Sequence, residues 1–233
     1  CFADVTAAKY GFSRAEQDAY AAESVRRAQR ASKEGDFVAE IAPVTIKSRK
    51  GEQVVATDET PFQLDIDKIP TLKPAFGKDG TVTAASSSSI SDGAAAIVLM
   101  SESAARAAGL KPLARLVSYA SHAQAPEWFT TAPAPSMQKA LDRAGWKVAE
   151  VDLFEINEAF ACVAMAAMRD LGLRHDQLNV NGGACAMGHP VGATGARIIT
   201  TLLYALRKRG LRRGVASQCI GGGEACAVAI ELL

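Results

Sequence analysis

The spacing of apolar and polar positions changes character along the chain. Residues 3 to 34 read as helical with a short break near Gly11, and Ser13-Arg14-Ala15-Glu16 forms a capping box. In it the Ser13 side chain accepts from the amide of Glu16 while the Glu16 carboxylate reaches back to the amide of Ser13. The helix it opens runs to a stop at Lys33-Glu34-Gly35. Ile41 to Lys47 is a candidate strand, and Asp58 to Gly80 mixes Pro and Gly among charges without a sustained period. Residues 1 to 90 therefore read as a helix-and-loop region. The serine run from Ser86 to Ser89 resembles a linker, but the apolar Asp92 to Met100 follows it at once. This pairing predicts an ordered loop entering a buried strand.

From Leu113 the two periods alternate. Strands are predicted at Leu113 to His122, Leu153 to Ile156, around Leu178 to Asn181, Val215 to Ile220 and Ala225 to Leu232. Helices fall at Ser136 to Ala144, Glu158 to Leu171 and about Thr194 to Arg209, with Asn157 placed to cap the second. The order βαβαβαββ implies a layered α/β domain with helices against a mostly parallel sheet. No internal repeat is visible.

Composition narrows the function. The 233 residues are 48% hydrophobic and 22% charged, which excludes disorder, collagen and a disulfide scaffold. Lys and Arg number 26 against 25 Asp and Glu, so no general field draws nucleic acid or an anionic membrane. No apolar run reaches membrane-spanning length, and the first thirty residues lack a secretory pattern. Five cysteines without a CxxC pair suit free thiols in a reducing compartment, and a cytoplasmic enzyme is expected.

Three segments concentrate chemistry. Asn181-Gly182-Gly183 runs on through Gly188-His189-Pro190 to Gly192-Ala193-Thr194-Gly195, putting a histidine among glycines at a strand-to-helix crevice. Cys219 precedes Gly221, Gly222 and Gly223, whose amides suit a developing oxyanion, and a thiol suits proton transfer. Glu155-Ile156-Asn157-Glu158-Ala159-Phe160 sets two carboxylates and an amide at a strand-to-helix junction. Read alone, that third string is a helix cap with exposed acids.

In type, order and spacing, Asn157 to Phe160, Asn181 to Arg197 and Cys219 to Gly223 together resemble the thiolase family, and the likeness includes Ser91 to Ala96. It implies a layered α/β thiolase-like domain at residues 112–233, a CoA-binding helix-and-loop region at 1–90 and the closing strand and helix of a first half at 91–111. By that resemblance His189 and a water on Asn157 bind the thioester oxygen, Cys219 is the acid/base, and Gly221 gives an amide to a second oxyanion hole. Ser88 would contact pantetheine, with Phe76, Ala84 and Phe160 lining its tunnel and Phe129 near the acyl pocket. Ser86 to Ser89 departs from the Asn-Ala-Ser-Gly of many members.

The activity so implied is acyl-CoA C-acyl transfer: reversible Claisen condensation of two acetyl-CoA to acetoacetyl-CoA and CoA, or the thiolysis of other 3-ketoacyl-CoA, as in fatty acid metabolism. CoA thioesters are substrates and no cofactor or metal is implied. A dimer or tetramer is expected of a whole enzyme, with no nucleic acid or membrane partner. The nucleophilic cysteine of such an enzyme lies in a first half that this chain, beginning with Cys1, is expected to lack. The chain alone should then bind poorly and catalyse nothing covalent.

Other readings stand beside this one. A thiolase-like fragment could hold acyl-CoA without turnover. Cys1 could serve as the N-terminal nucleophile of a hydrolase, and Cys185, His189, Cys219 and Cys226 form a loosely spaced zinc set. Arg207 to Arg213 suggests nucleic acid or, more simply, a solvated helix C-terminus.

Overall fold

A computed structural model describes residues 1–233. Helix α1 (Phe2–Tyr10) stops at Gly11, whose φ of 65° is the left-handed turn that glycine adopts without steric cost. Helix α2 (Arg14–Lys33) starts at the expected capping box, the Glu16 carboxylate accepting the Ser13 amide at 2.7 Å and the Ser13 hydroxyl accepting the Glu16 amide at 3.2 Å. Strands β1 (Val44–Ser48) and β2 (Gly51–Val55) form an antiparallel hairpin exposed along most of its length. It begins three residues after the predicted start at Ile41, and β2 was not legible as a strand. Two short helices follow, α3 (Thr60–Gln63) and α4 (Glu102–Ala107).

The second half of the chain is a four-stranded sheet between helical layers. Strands β3 (Ala114–Ala123), β4 (Leu153–Ile156), β5 (Arg213–Ile220) and β6 (Glu224–Leu232) lie in the order β3-β6-β5-β4. One sheet face packs Phe154, Val215 and Cys219 against Met137 and Leu141 of α5 (Pro133–Ala144) and Val163 of α6 (Ala161–Leu171). The other packs Leu153, Ala216 and Ile230 against Ile198, Leu202 and Leu206 of α8 (Thr194–Arg209). Period-two alternation of the strands thus feeds two cores, and the layered α/β class expected from the sequence is the one observed. The four-residue helix α7 (Ala184–Met187) completes the set.

Three details differ from the sequence reading. The sheet is mixed rather than mostly parallel: only β4 and β5 run parallel, while β6 pairs antiparallel with both β5 and β3. The glycine turn at 221–223 is too short for a crossover and returns the chain as a hairpin. The strand expected near Leu178 to Asn181 shrinks to one bridge, Phe154 to Leu178, because Asn179 turns the chain at φ 46°. Its side chain takes the place of a strand neighbour, accepting from the Ile156 amide and donating to the Ile156 carbonyl, both at 2.8 Å.

The third difference is the apolar run at 92–100, which is neither a strand nor buried. Val98 is 83% and Leu99 70% exposed. Alternation makes a segment suitable for a sheet, but its backbone needs a neighbouring ladder, and no strand of this chain lies beside the run. The nearest pairing is a single bridge from Ile90 to His189. No helix is long and apolar enough to cross a membrane.

Candidate active site

The serine run is the seam that gathers the site. The Ser88 amide donates to the Ala159 carbonyl at 3.0 Å, the Ala161 amide to the Ser86 carbonyl at 2.8 Å, and the His189 amide to the Ser89 carbonyl at 2.9 Å. Residues 86–90 therefore lie between the Asn157 loop and the His189 loop and hold both. Ser86 is buried and bonded to Thr83, so the run is an ordered loop as expected. At Gly188, φ is 84° and a Cβ would stand 2.0 Å from the Ser91 hydroxyl oxygen. Only glycine lets the His189 loop approach this closely.

Asn157 does not cap a helix. Helix α6 begins at Ala161 after Phe160 in extended backbone, because residues 157–160 run on past β4 to bond the serine loop. The Asn157 amide instead donates to the Ser217 carbonyl at 2.9 Å, which places it beside the end of β5, two residues before Cys219. Its side chain is 1% exposed and both polar atoms lack a protein partner. A buried primary amide with donor and acceptor free needs a guest, and a water is the simplest.

Cys219, at 8% exposure, sits in the core, and burial pushes its thiol up to about 12. It rests as a protonated thiol. His189 is half-buried, and burial with the nearby Arg197 charge holds its ring below the ordinary histidine value. It therefore rests neutral at pH 7. Gly221 is exposed, and its amide donates to no backbone carbonyl.

Aromatic side chains border these groups. Phe160 meets Phe76 edge-on with centroids 6.1 Å apart and Phe129 at 6.5 Å. Ser88 is partly buried, its hydroxyl donating to the Ala159 carbonyl at 3.2 Å. Ala84 is exposed and joins none of these contacts.

The two carboxylates read as exposed acids are both 1% exposed. Glu158 accepts from Tyr20 and Ser24 hydroxyls, the Asn179 amide nitrogen and the Cys185 backbone at 2.7 to 3.0 Å. It fastens α2 to the sheet domain, and a Cβ at Gly183 would stand 2.3 Å from its carboxyl carbon. Adjacent Gly182 and Gly183 were the only signal of this hub, since its partners lie far apart in sequence. Glu155 turns to the opposite face, toward α8, with one oxygen unpartnered. Burial pushes its carboxyl up to about 8. Thr194 was legible only as a helix start, yet its hydroxyl lies 2.6 Å from His189 Nδ1.

The competing readings fare differently. Cys1 caps α1, with amine and thiol both on Asp4, and is not on a strand. No group of three or more His, Cys, Asp or Glu side chains is arranged to hold a metal ion. The basic cluster is largely engaged: Lys208 pairs with Asp36, Arg212 and Arg213 with Glu231, and Arg209 donates to Asn181.

Comparison with known proteins agrees with the motif reading. The family model "Thiolase, C-terminal domain" matches residues 110–232, and "Thiolase, N-terminal domain" matches residues 1–103. An acetyl-CoA acetyltransferase of Paracoccus denitrificans is 48% identical over 230 residues, covering 98% of this chain and 59% of its own length. The enzyme of that name from Escherichia coli K12 is 49% identical over 232 residues, again spanning 59% of the relative. Among solved structures, Bacillus anthracis acetyl-CoA acetyltransferase superposes with a TM-score of 0.96 at 43% identity, and human mitochondrial 3-ketoacyl-CoA thiolase with 0.91 at 38%. Each covers 100% of this chain, which spans 59% of theirs. Matched by the family's models along both of its segments, the chain belongs to the thiolase family.

Proposed function

We propose that the chain provides the oxyanion-binding and acid/base part of an acyl-CoA C-acyltransferase working by reversible Claisen condensation. The observation that carries this reading is the buried, unpartnered side-chain amide of Asn157, on a segment whose backbone is bonded through the serine loop toward His189 and to Ser217 on the strand bearing Cys219. A carbonyl oxygen gathering negative charge needs preorganised donors in a dry setting. His189 and an Asn157-held water serve the thioester oxygen, and the Gly221 amide serves a second acyl oxygen. A thiol protonated at rest gives its proton to a departing CoA thiolate and thereby becomes the base that removes the next α-proton.

Phe160, Phe76, Ser88 and Ala84 are assigned to the pantetheine arm, and Phe129 to the acyl end. The substrates proposed are acetyl-CoA, acetoacetyl-CoA or other 3-ketoacyl-CoA, and CoA, without a cofactor, in a cytoplasmic homo-oligomer. The acyl-carrying nucleophile is assigned to sequence outside these residues.

Enolate formation requires only the groups named here, so deuterium uptake at the methyl of acetyl-CoA in D2O tests the reading directly. Proton abstraction forms no acyl-enzyme, so even a chain that binds weakly and carries no acyl group should raise exchange above the buffer rate at high acetyl-CoA. Because Cys219 must ionise, the rate should climb about tenfold per pH unit between about pH 7 and 9, below its thiol value of about 12. Cys219→Ala should abolish it. Saturable binding of CoA without exchange would overturn catalysis in favour of acyl-CoA holding alone.

A further inference from the structure

His189 has two ring nitrogens, and its role as a donor depends on which carries the proton. Nδ1 faces the Thr194 hydroxyl at 2.6 Å. Thr194 is fully buried at the first position of α8, and its hydroxyl oxygen also lies 2.9 Å from the Pro190 carbonyl. That carbonyl already accepts the Ala193 amide at 2.8 Å and the Thr194 amide at 2.9 Å. A third bond from the Thr194 hydroxyl to that carbonyl would share lone pairs already engaged, whereas Nδ1 offers an undivided lone pair in the tautomer that carries its proton on Nε2. The hydroxyl has a single proton, and the closer, otherwise unmatched acceptor is the ring.

We propose that Thr194 is a positioning residue that sets the tautomer of His189, donating its hydroxyl proton to Nδ1 so that the neutral ring carries its own proton on Nε2. The rest of the segment holds the ring to this partner. The His189 amide is bonded to Ser89, Gly188 takes a positive φ of 84° open to glycine, and Pro190 fixes the next φ. Five residues beyond the histidine, the first turn of α8 returns Thr194 to the ring. Resting on the functional reading above, the consequence is that His189 faces the thioester oxygen as a ready hydrogen-bond donor and needs no prior protonation.

The test is nitrogen NMR of the 15N-labelled chain at pH 8, using long-range proton correlations that report the protonation of each ring nitrogen. Wild type should show His189 in one form, Nε2 protonated and Nδ1 bare. Thr194→Val removes the hydroxyl at nearly constant shape and should replace that single form with a mixture of tautomers, while Thr194→Ser should restore it. A wild-type ring protonated on Nδ1 overturns the proposal without any variant having to fold. So does a folded Val variant whose ring nitrogens are unchanged. No substrate enters this measurement, so its failure is separate from a failure of the exchange assay.

Discussion

Leu153 to Ile156 and Asp92 to Met100 both look like buried strands in sequence, and they end in opposite environments. The first is β4, buried at all four positions, with β5 alongside and the Asn179 side chain closing its far edge. The second carries a longer apolar stretch and ends with Val98 and Leu99 in solvent. An apolar run states a demand for burial, whereas a ladder partner and a covering helix satisfy it. β4 has both, and it also leads directly into Asn157 and Glu158, so the site inherits the strand's rigidity.

The sharpest way to break this contrast is at the end of the β4 side. Glu158→Ala leaves two hydroxyls, an amide nitrogen and a backbone N–H without their shared acceptor. Each buried donor left without an acceptor costs about 1 to 3 kcal/mol, so stranding several together costs about 3 to 5 kcal/mol. Urea unfolding should show that loss, and protection of α2 amides from hydrogen exchange should fall with it. A loss below about 1 kcal/mol would mean water replaces the carboxylate and the hub holds nothing.

Slightly smaller and more direct is a matched pair of truncations. Phe154 is fully buried in the α5 and α6 core, and Phe154→Ala should cost about 3 to 4 kcal/mol through lost transfer energy and the cavity left behind. Leu99→Ala, on the exposed run, should stay within about 0.5 kcal/mol. Equal losses would show that the run at 92–100 packs against something in solution.

How far the sequence could be read follows the same division. Interactions within a few residues were legible: the Ser13 and Glu16 capping box, the Lys33-Glu34-Gly35 helix stop, and the alternation of β5 and β6. So were the glycine-rich turns beside His189 and Cys219, because close backbone approach is a local requirement. The Asn157 cap was misread because residues 157–160 are held by Ser86 and Ser88, some seventy residues earlier. Glu158 was read as exposed because its four donors come from residues 20, 24, 179 and 185. Position in a pattern shows which face a residue takes, not what waits there.

Glu155 sharpens the comparison between the two faces of β4. Its neighbours Phe154 and Ile156 enter an apolar core, whereas Glu155 is buried against α8, where the Arg197 guanidinium also lacks a bonded partner. With its carboxyl at about 8 when folded, the native chain keeps a proton that the unfolded chain releases at ordinary carboxylate pH. Stability therefore falls as pH rises from about 5 to 8 and levels off above that. The slope from this one group is at most about 1.4 kcal/mol per unit. Glu155→Gln should flatten the profile measured by urea unfolding across that window. A curve parallel to wild type would mean that Arg197 keeps Glu155 ionised throughout.

The smallest expected change in stability carries the most information about the exposed run. Val98→Ser with Leu99→Ser removes two large apolar side chains from water, where they contribute almost nothing to the fold of this chain. The folding free energy should shift by less than about 0.5 kcal/mol. Contiguous apolar surface, however, invites association. Wild type should therefore show concentration-dependent growth in sedimentation velocity and bind a hydrophobic dye, and the double variant should lose much of both. If the double variant instead lost stability and kept its association, the run would be packed in the monomer and another surface would do the gathering. The contrast with β4 would then be one of strand pairing alone, with burial common to both segments.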